Sequence, residues 1–203
     1  MRELLGGDPG ELLALDDYWA EFEQRFWKTG PPGFWKLERQ QTFKEPQDEG
    51  WQAFAAGRWK ESLRILDARR SEFGDYYRRI ADSGFATRRL RVVQEPLTPY
   101  LQWELHVLRL RHEYGGLTRV VTPAQVVAAE VDGPLPEIYT LGTDVMYEAV
   151  YDADGVLEAA RRWRSSDVVT RCQEFIESLY DDGEPLDEFF ARAVVPLEPP
   201  HPD

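Results

Sequence analysis

The sequence is short of cysteine, histidine and positive charge, and each shortage excludes something. Cys172 is the sole cysteine among 203 residues, so neither an intramolecular disulfide nor a thiolate metal cluster can form, and a reducing cytoplasm is expected. Histidines number three. His106 and His112 are six apart, which puts them on opposite sides of a helix, and His201 is remote, so a zinc enzyme is not expected. No glycine-rich phosphate loop and no Gly-x-Ser-x-Gly elbow occurs. No apolar run approaches 18 residues, so no membrane-spanning helix is expected. The first apolar stretch, MRELLGGDPGELLALDDYW, carries acids and no apolar signal core, so a secretory leader is not expected there. Lys and Arg total 24 against 37 Asp and Glu, a net charge of −13. That balance opposes direct binding to nucleic acid or an anionic membrane.

What is present is a folding composition, with 42% hydrophobic and 13% aromatic residues, in a chain of one-domain length. The organising stretch is Arg88 to Gly116. Arg89 to Val93 (RLRVV) reads as a strand with Leu90 and Val92 on one face. Thr98 caps and Pro99 opens a helix whose buried spine is Leu101, Leu105 and Leu108, and Gly115-Gly116 stops it. LTRVV (117–121) is a second strand, giving a βαβ unit with parallel neighbours.

Before this unit, the pattern predicts a helix from Asp8, with Leu12, Leu15, Trp19, Phe22 and Phe26 on one stripe. TGPPG (29–33) breaks it, and FWKLERQQTF (34–43) is a short strand or an irregular segment. A mainly helical stretch follows from Asp48 to Ile80, pausing near Gly57. After the unit, Ile138–Leu141 and Val145–Tyr151 are strand material. DADG (152–155) marks a hairpin returning through Val156 to Trp163. Asp167 caps a last helix with Cys172 on its apolar face. The expected fold is therefore α/β, with α+β as the alternative. It has an N-terminal helical layer (1–83), a mixed sheet of four or five strands with packed helices (84–180), and an acidic, proline-rich tail (181–203).

RLRVVQEPLTPYLQWEL, with YEAVYDADG in support, resembles an actinobacterial family of accessory proteins often found beside helix-turn-helix regulators. The resemblance implies a cytoplasmic regulatory protein that contacts another protein, with such a regulator as the candidate partner. Its recurring signature falls here on Arg89, Arg91, Glu95, Pro96, Tyr100 and Glu104, without a chemistry attached.

Three groups of residues are candidates for function. Arg89, Arg91, Glu95, Tyr100 and Glu104 surround a strand exit and a helix start, where ligands bind in open sheets. Arg91 with Glu95 is either an internal pair or an anion site. The second group is for protein contact: Trp19, Phe22, Phe26 and Trp27 on the first helix, and Arg69, Arg70, Arg78 and Arg79. The arginines lie in a stretch, Arg58 to Arg91, that holds ten Lys or Arg and five Asp or Glu, leaving −18 for the rest. Asp144, Asp152 and Asp154 are a weak candidate for Mg²⁺. The leading reading is a non-enzymatic accessory protein acting through protein contacts, with no cofactor and with a homodimer as one arrangement. The alternative is a binder of small or nucleotide-like anions, or a phosphodiester-processing enzyme, centred on Arg91.

Overall fold

The computed structural model describes residues 4, 5 and 7–201. Among these, eight strands form one open sheet and eight helices pack on it, a mixed α/β fold not closed into a barrel. The strands are β1 (Glu11–Ala14), β2 (Phe34–Glu38), β3 (Thr87–Val92), β4 (Gly116–Val121), β5 (Ile138–Leu141), β6 (Val145–Tyr151), β7 (Leu157–Trp163) and β8 (Glu184–Pro185). They are ordered β1-β7-β6-β5-β2-β3-β4-β8. β2, β3 and β4 run parallel, and every other pairing is antiparallel.

The central βαβ unit stands as read. Between β3 and β4 runs α5 (Pro99–Glu113), started by the Thr98 hydroxyl, which accepts the Leu101 N–H at 3.1 Å. Its first half is buried on all sides, from Tyr100 to Leu105 with the polar Gln102 and Glu104 included, and beyond that only Leu108 and Leu110 are buried. A second crossover joins β2 to β3 through α2 (Glu49–Ala55), α3 (Trp59–Ala68) and α4 (Arg70–Asp82). Ser62 ties these helices inward: its hydroxyl donates to Gly50 O at 2.6 Å and accepts from Trp103 Nε1 at 2.8 Å. The DADG hairpin forms as expected, with Asp152 Oδ1 accepting the N–H groups of Asp154 and Val156, both at 2.9 Å.

The sheet has eight strands where four or five were expected, because both chain ends contribute and because β2, within the stretch expected to be a helical layer, forms one of its central strands. The stripe of residues 8–26 is not one helix. Asp8 Oδ1 accepts the Gly10 N–H at 2.9 Å, and Gly10, at φ +65°, turns the chain so that ELLA pairs with β7 before α1 (Leu15–Phe26) begins. A Cβ at Gly10 would sit 2.6 Å from the Trp163 ring, so the close approach needs glycine. At the other end, β8 pairs with β4, and α8 (Leu186–Ala193) buries Leu186, Phe189 and Phe190 against α5. Residues 184–194 are thus part of the fold and not only a tail. The last long helix, α7 (Ser166–Asp181), starts at Ser165, with Asp167 inside its first turn.

The two sheet faces differ in kind. One carries Trp35, Leu37, Leu90, Val92, Val121, Ile138, Met146 and Trp163, all under α7. Cys172 is buried there, and burial pushes its thiol up to about 11, as suits a small core residue. The opposite face lies under α1, α4 and α5 and has charge at its centre. Registered neighbours there include Lys36 with Arg89 and Glu38 with Arg91.

Candidate functional site

Period-two alternation places Phe34, Lys36 and Glu38 of β2, Thr87, Arg89 and Arg91 of β3, and Gly116 and Thr118 of β4 on the charged face. Over them sit Tyr18, Phe22 and Phe26 of α1, Tyr76 and Tyr77 of α4 and Arg111 near the end of α5. The helices leave a cavity of about 250 Å³ against the sheet, with the exposed Trp19 and Tyr76 in its lining. Its lining includes the side chains of three cations, Lys36, Arg89 and Arg111, and no carboxylate; Arg88, one residue off this register, stacks instead on Trp35 of the other face.

The lining divides in two. Over β5, β6 and the start of β2 it is aromatic. The Phe22 ring meets Tyr139 edge-on at 5.9 Å between centroids, Phe34 faces Tyr139 at 6.0 Å, and Tyr139 Oη donates to Tyr18 Oη. Burial pushes the Tyr18 hydroxyl up to about 12. Over β3 and β4 the lining is cationic and hydroxylic, with Arg89, Arg111, Thr87, Thr118 and Tyr77. Gly116 makes room for Tyr77, since a Cβ there would come 2.3 Å from its hydroxyl oxygen.

Beneath this lining is a layer of buried ion pairs. Glu38 accepts from Arg89 and pairs with Lys36 Nζ at 2.6 Å. Burial works against its charge, but Arg89 and Lys36 outweigh it and hold the carboxyl well below the usual range. Arg91, fully buried, pairs with Glu104 of α5, with Nε and Nη2 both 2.9 Å from Oε2. Burial raises the Glu104 carboxyl, opposed by Arg91. Glu137, just before β5, takes the N–H groups of Arg39 and Gln40 on Oε1 at 2.9 and 2.6 Å, while its buried Oε2 has no hydrogen-bond partner. Burial pushes it up to about 7, opposed by Arg91.

Arg111 is different. Its Nε is buried without an acceptor, and its guanidinium lies 5.5 Å from the Phe73 ring centroid. The acid two residues on, Glu113, is taken by Arg70 at 2.5 Å and Arg109 at 3.8 Å. Among the described residues no carboxylate pairs with Arg111.

The structure brings one residue of the sequence-derived ligand group, Arg89, into the cavity and keeps the others out. The cavity lies not at the strand exits but over the entry ends of β2, β3 and β4. Arg91 and Glu95 do not pair. Glu104, not Glu95, meets Arg91, because α5 runs back over the strand and lays its second turn on it. Glu95 instead reaches Arg192 of α8 at 3.3 Å. Tyr100 is buried and donates to Glu45, whose carboxyl is raised by burial. In the contact group, Trp19 is half exposed, Phe22 and Phe26 face inward to the cavity, and Trp27 carries the Arg79 guanidinium at 3.7 Å. Arg69 pairs with Asp48, Arg70 with Asp67 and Glu113, and Arg78 with Asp75, so each is matched within the chain. Asp144 and Asp152 sit at opposite ends of β6, roughly 25 Å apart at the usual strand rise, and Asp152 is engaged in its own turn. Asp144 therefore does not converge with Asp152 and Asp154, and no cluster fit for a metal occurs among the described residues.

Sequence reading passed over Lys36, Glu38, Arg111 and Tyr139. The first two carried a signal: in FWKLE every second residue is apolar, and the alternate set ends in a cation and an anion facing RLR across β3. Arg111 had none, because its significance is the lack of a partner.

The fold is thus an open mixed α/β sheet with a cation-lined cavity under its N-terminal helix. The chain belongs to the family described as Domain of unknown function (DUF6879), which matches residues 20–191. The match runs from within α1 to within α8 and takes in most of the cavity lining. No curated protein matches the chain.

Proposed function

We propose that this protein binds a small anion with an aromatic body in the cavity under α1, α4 and α5. One observation carries the reading: in a chain of net charge −13, a cavity of about 250 Å³ has three cationic side chains in its lining and no carboxylate. A lining of that sign in an acidic protein needs a counter-charge, and guanidinium forks suit carboxylate or phosphate. The aromatic half supplies an apolar seat for a ring. The lining holds no imidazole, carboxylate or thiol, the groups that most often serve as general acid, general base or nucleophile, which favours binding over phosphodiester processing. Titration calorimetry with benzoate, indole-3-acetate and their neutral amides tests this. Heat from the acids and none from the amides is expected. Equal binding of acid and amide, or no binding by either, defeats the reading.

A second reading, an accessory protein acting through protein contacts, is favoured by the exposed Trp19 and Tyr76 in the lining of the same cavity. Aromatic anchors beside a pocket suit a partner's docking. The family resemblance supports a cytoplasmic setting and a helix-turn-helix regulator as that partner. Among the described residues no helix is long and apolar enough to cross a membrane. Native mass spectrometry of the protein from its source cells tests this, with a stoichiometric protein adduct expected and its absence counting against it.

A further inference from the structure

We propose that the ligand is a dianion, a phosphate monoester carrying one aromatic ring system. The phosphate sits between Lys36, Arg89 and Arg111, and the ring rests against Phe22, Phe34 and Tyr139. This rests on the binding reading above and specifies its ligand class.

The argument is a charge count. Glu38 is one negative charge shared by two cations, Lys36 and Arg89. Arg91 is matched by Glu104 and contributes no surplus. The Lys36, Arg89 and Glu38 group therefore retains one positive charge facing the cavity. Arg111 adds a second, since its buried Nε has no acceptor and Glu113 is engaged by Arg70 and Arg109. Lys36, Arg89 and Arg111 are each partly buried, and charge short of a counter-charge in such a setting is costly, so the site favours a ligand carrying about two negative charges. A phosphate monoester brings roughly 1.5 to 2 negative charges at neutral pH and three acceptor oxygens. A carboxylate or sulfate ester brings one.

Donors beyond the cations fit the same ligand. The Tyr77 hydroxyl is held against β4 by the missing side chain at Gly116, Thr87 precedes Arg89 by two residues on β3, and Thr118 stands opposite Arg89 on β4. Tyr139, on the aromatic side, is next to Lys36 across the β2–β5 pair, so the ring seat and the anion seat are contiguous. The size sets an upper bound. At about 250 Å³ the cavity is just under the roughly 300 Å³ where drug-sized pockets begin, which admits one ring system with its phosphate and excludes a dinucleotide.

Phenyl phosphate and phenyl sulfate have nearly the same shape and differ by one charge at pH 7.5, so titrating each into the intact protein isolates the count. Phenyl phosphate is expected to bind at least tenfold more tightly than phenyl sulfate, and at least tenfold more tightly than inorganic phosphate. Arg111→Gln should bring phenyl phosphate down to the level of phenyl sulfate. Because the first comparison uses the unaltered chain, it stands even if that variant folds poorly. Equal affinity for the two esters would overturn the dianion while leaving the anion-binding reading intact, and inorganic phosphate binding as well as phenyl phosphate would overturn the ring seat. Failure of both esters, together with failure of the aromatic acids above, would remove the binding reading itself. Adenosine monophosphate and free O-phosphotyrosine as further arms identify the source of the ester, the tighter of the two marking a nucleotide or an amino-acid phosphate.

Discussion

On the sheet face under α7, the central strands present Trp35, Leu37, Leu90 and Val92. On the other face, the same strands present Lys36, Glu38, Arg89 and Arg91. One residue of register separates the two environments. The α7 face is closed by hydrocarbon, and its contribution to stability follows from area removed from water. The other face is covered by three helices yet holds ion pairs, whose net contribution is small or negative unless every partner is present. A sheet that needed only stability could carry hydrocarbon on both faces. Charge at the centre of one of them, with two cationic groups left over, is better explained by what that face receives than by what it holds together.

The largest expected effect tests whether the ion pairs are structural once made. Glu104→Gln leaves Arg91 fully buried without its paired carboxylate, and stability should fall by about 3–5 kcal/mol in urea denaturation. A loss below about 1 kcal/mol would mean that the charged layer braces nothing. Ile176→Ala, under the α7 face and fully buried, should cost about 2–4 kcal/mol through lost burial and the cavity left behind. Since α7 touches neither Lys36 nor Arg89, ligand affinity should hold in that variant. If affinity fell with stability, the two faces would be energetically one.

A third experiment uses pH. Burial raises the Glu137 carboxyl to about 7 in the folded chain, above its unfolded value. Its contribution is therefore complete below the unfolded pKa and is lost as pH rises through about 7. Between pH 5 and 8 this component should fall by roughly 1–3 kcal/mol, and Glu137→Gln, which keeps an oxygen for the Arg39 and Gln40 N–H groups, should flatten it. Unfolding curves across that range decide the point, and identical slopes for both proteins would put the protonation elsewhere.

How far the comparison was legible in the sequence depends on the range of the contacts involved. β3, α5 and β4 were readable because Thr98, Pro99 and Gly115-Gly116 punctuate them and the apolar period changes between them. The DADG hairpin was readable for the same local reason. β1 was hidden because ELLA continues the stripe of α1 in helical spacing, and only its pairing with β7, some 150 residues away, makes it a strand. α8 had the local pattern of Leu186, Phe189 and Phe190, but surrounding acids and prolines masked it. Arg89 and Arg91 stood out as residues, yet their partners did not. Glu38 is more than fifty residues upstream, and Glu104 meets Arg91 only because α5 folds back over its own strand. Local reasoning chose Glu95, the nearest acid in sequence, and the chain turns that side chain outward to Arg192.

The smallest expected effect on stability is the most informative about the charged face. If Arg111 were part of its brace, replacing it would be costly, as for Glu104. Its surroundings argue the reverse. The Nε is buried without an acceptor, no carboxylate among the described residues pairs with it, and its one ring contact, Phe73, would accept an unbranched apolar chain as well. Arg111→Met removes an unmatched charge and keeps most of the packing volume, so stability should stay within about 0.5 kcal/mol of the parent or rise. Urea denaturation of the two proteins without ligand makes the measurement. A loss above about 2 kcal/mol would assign Arg111 to the structural layer and reduce the surplus at the cavity to one charge. No loss, combined with weakened phosphate binding, would identify it as a group whose counter-charge the fold leaves to the ligand.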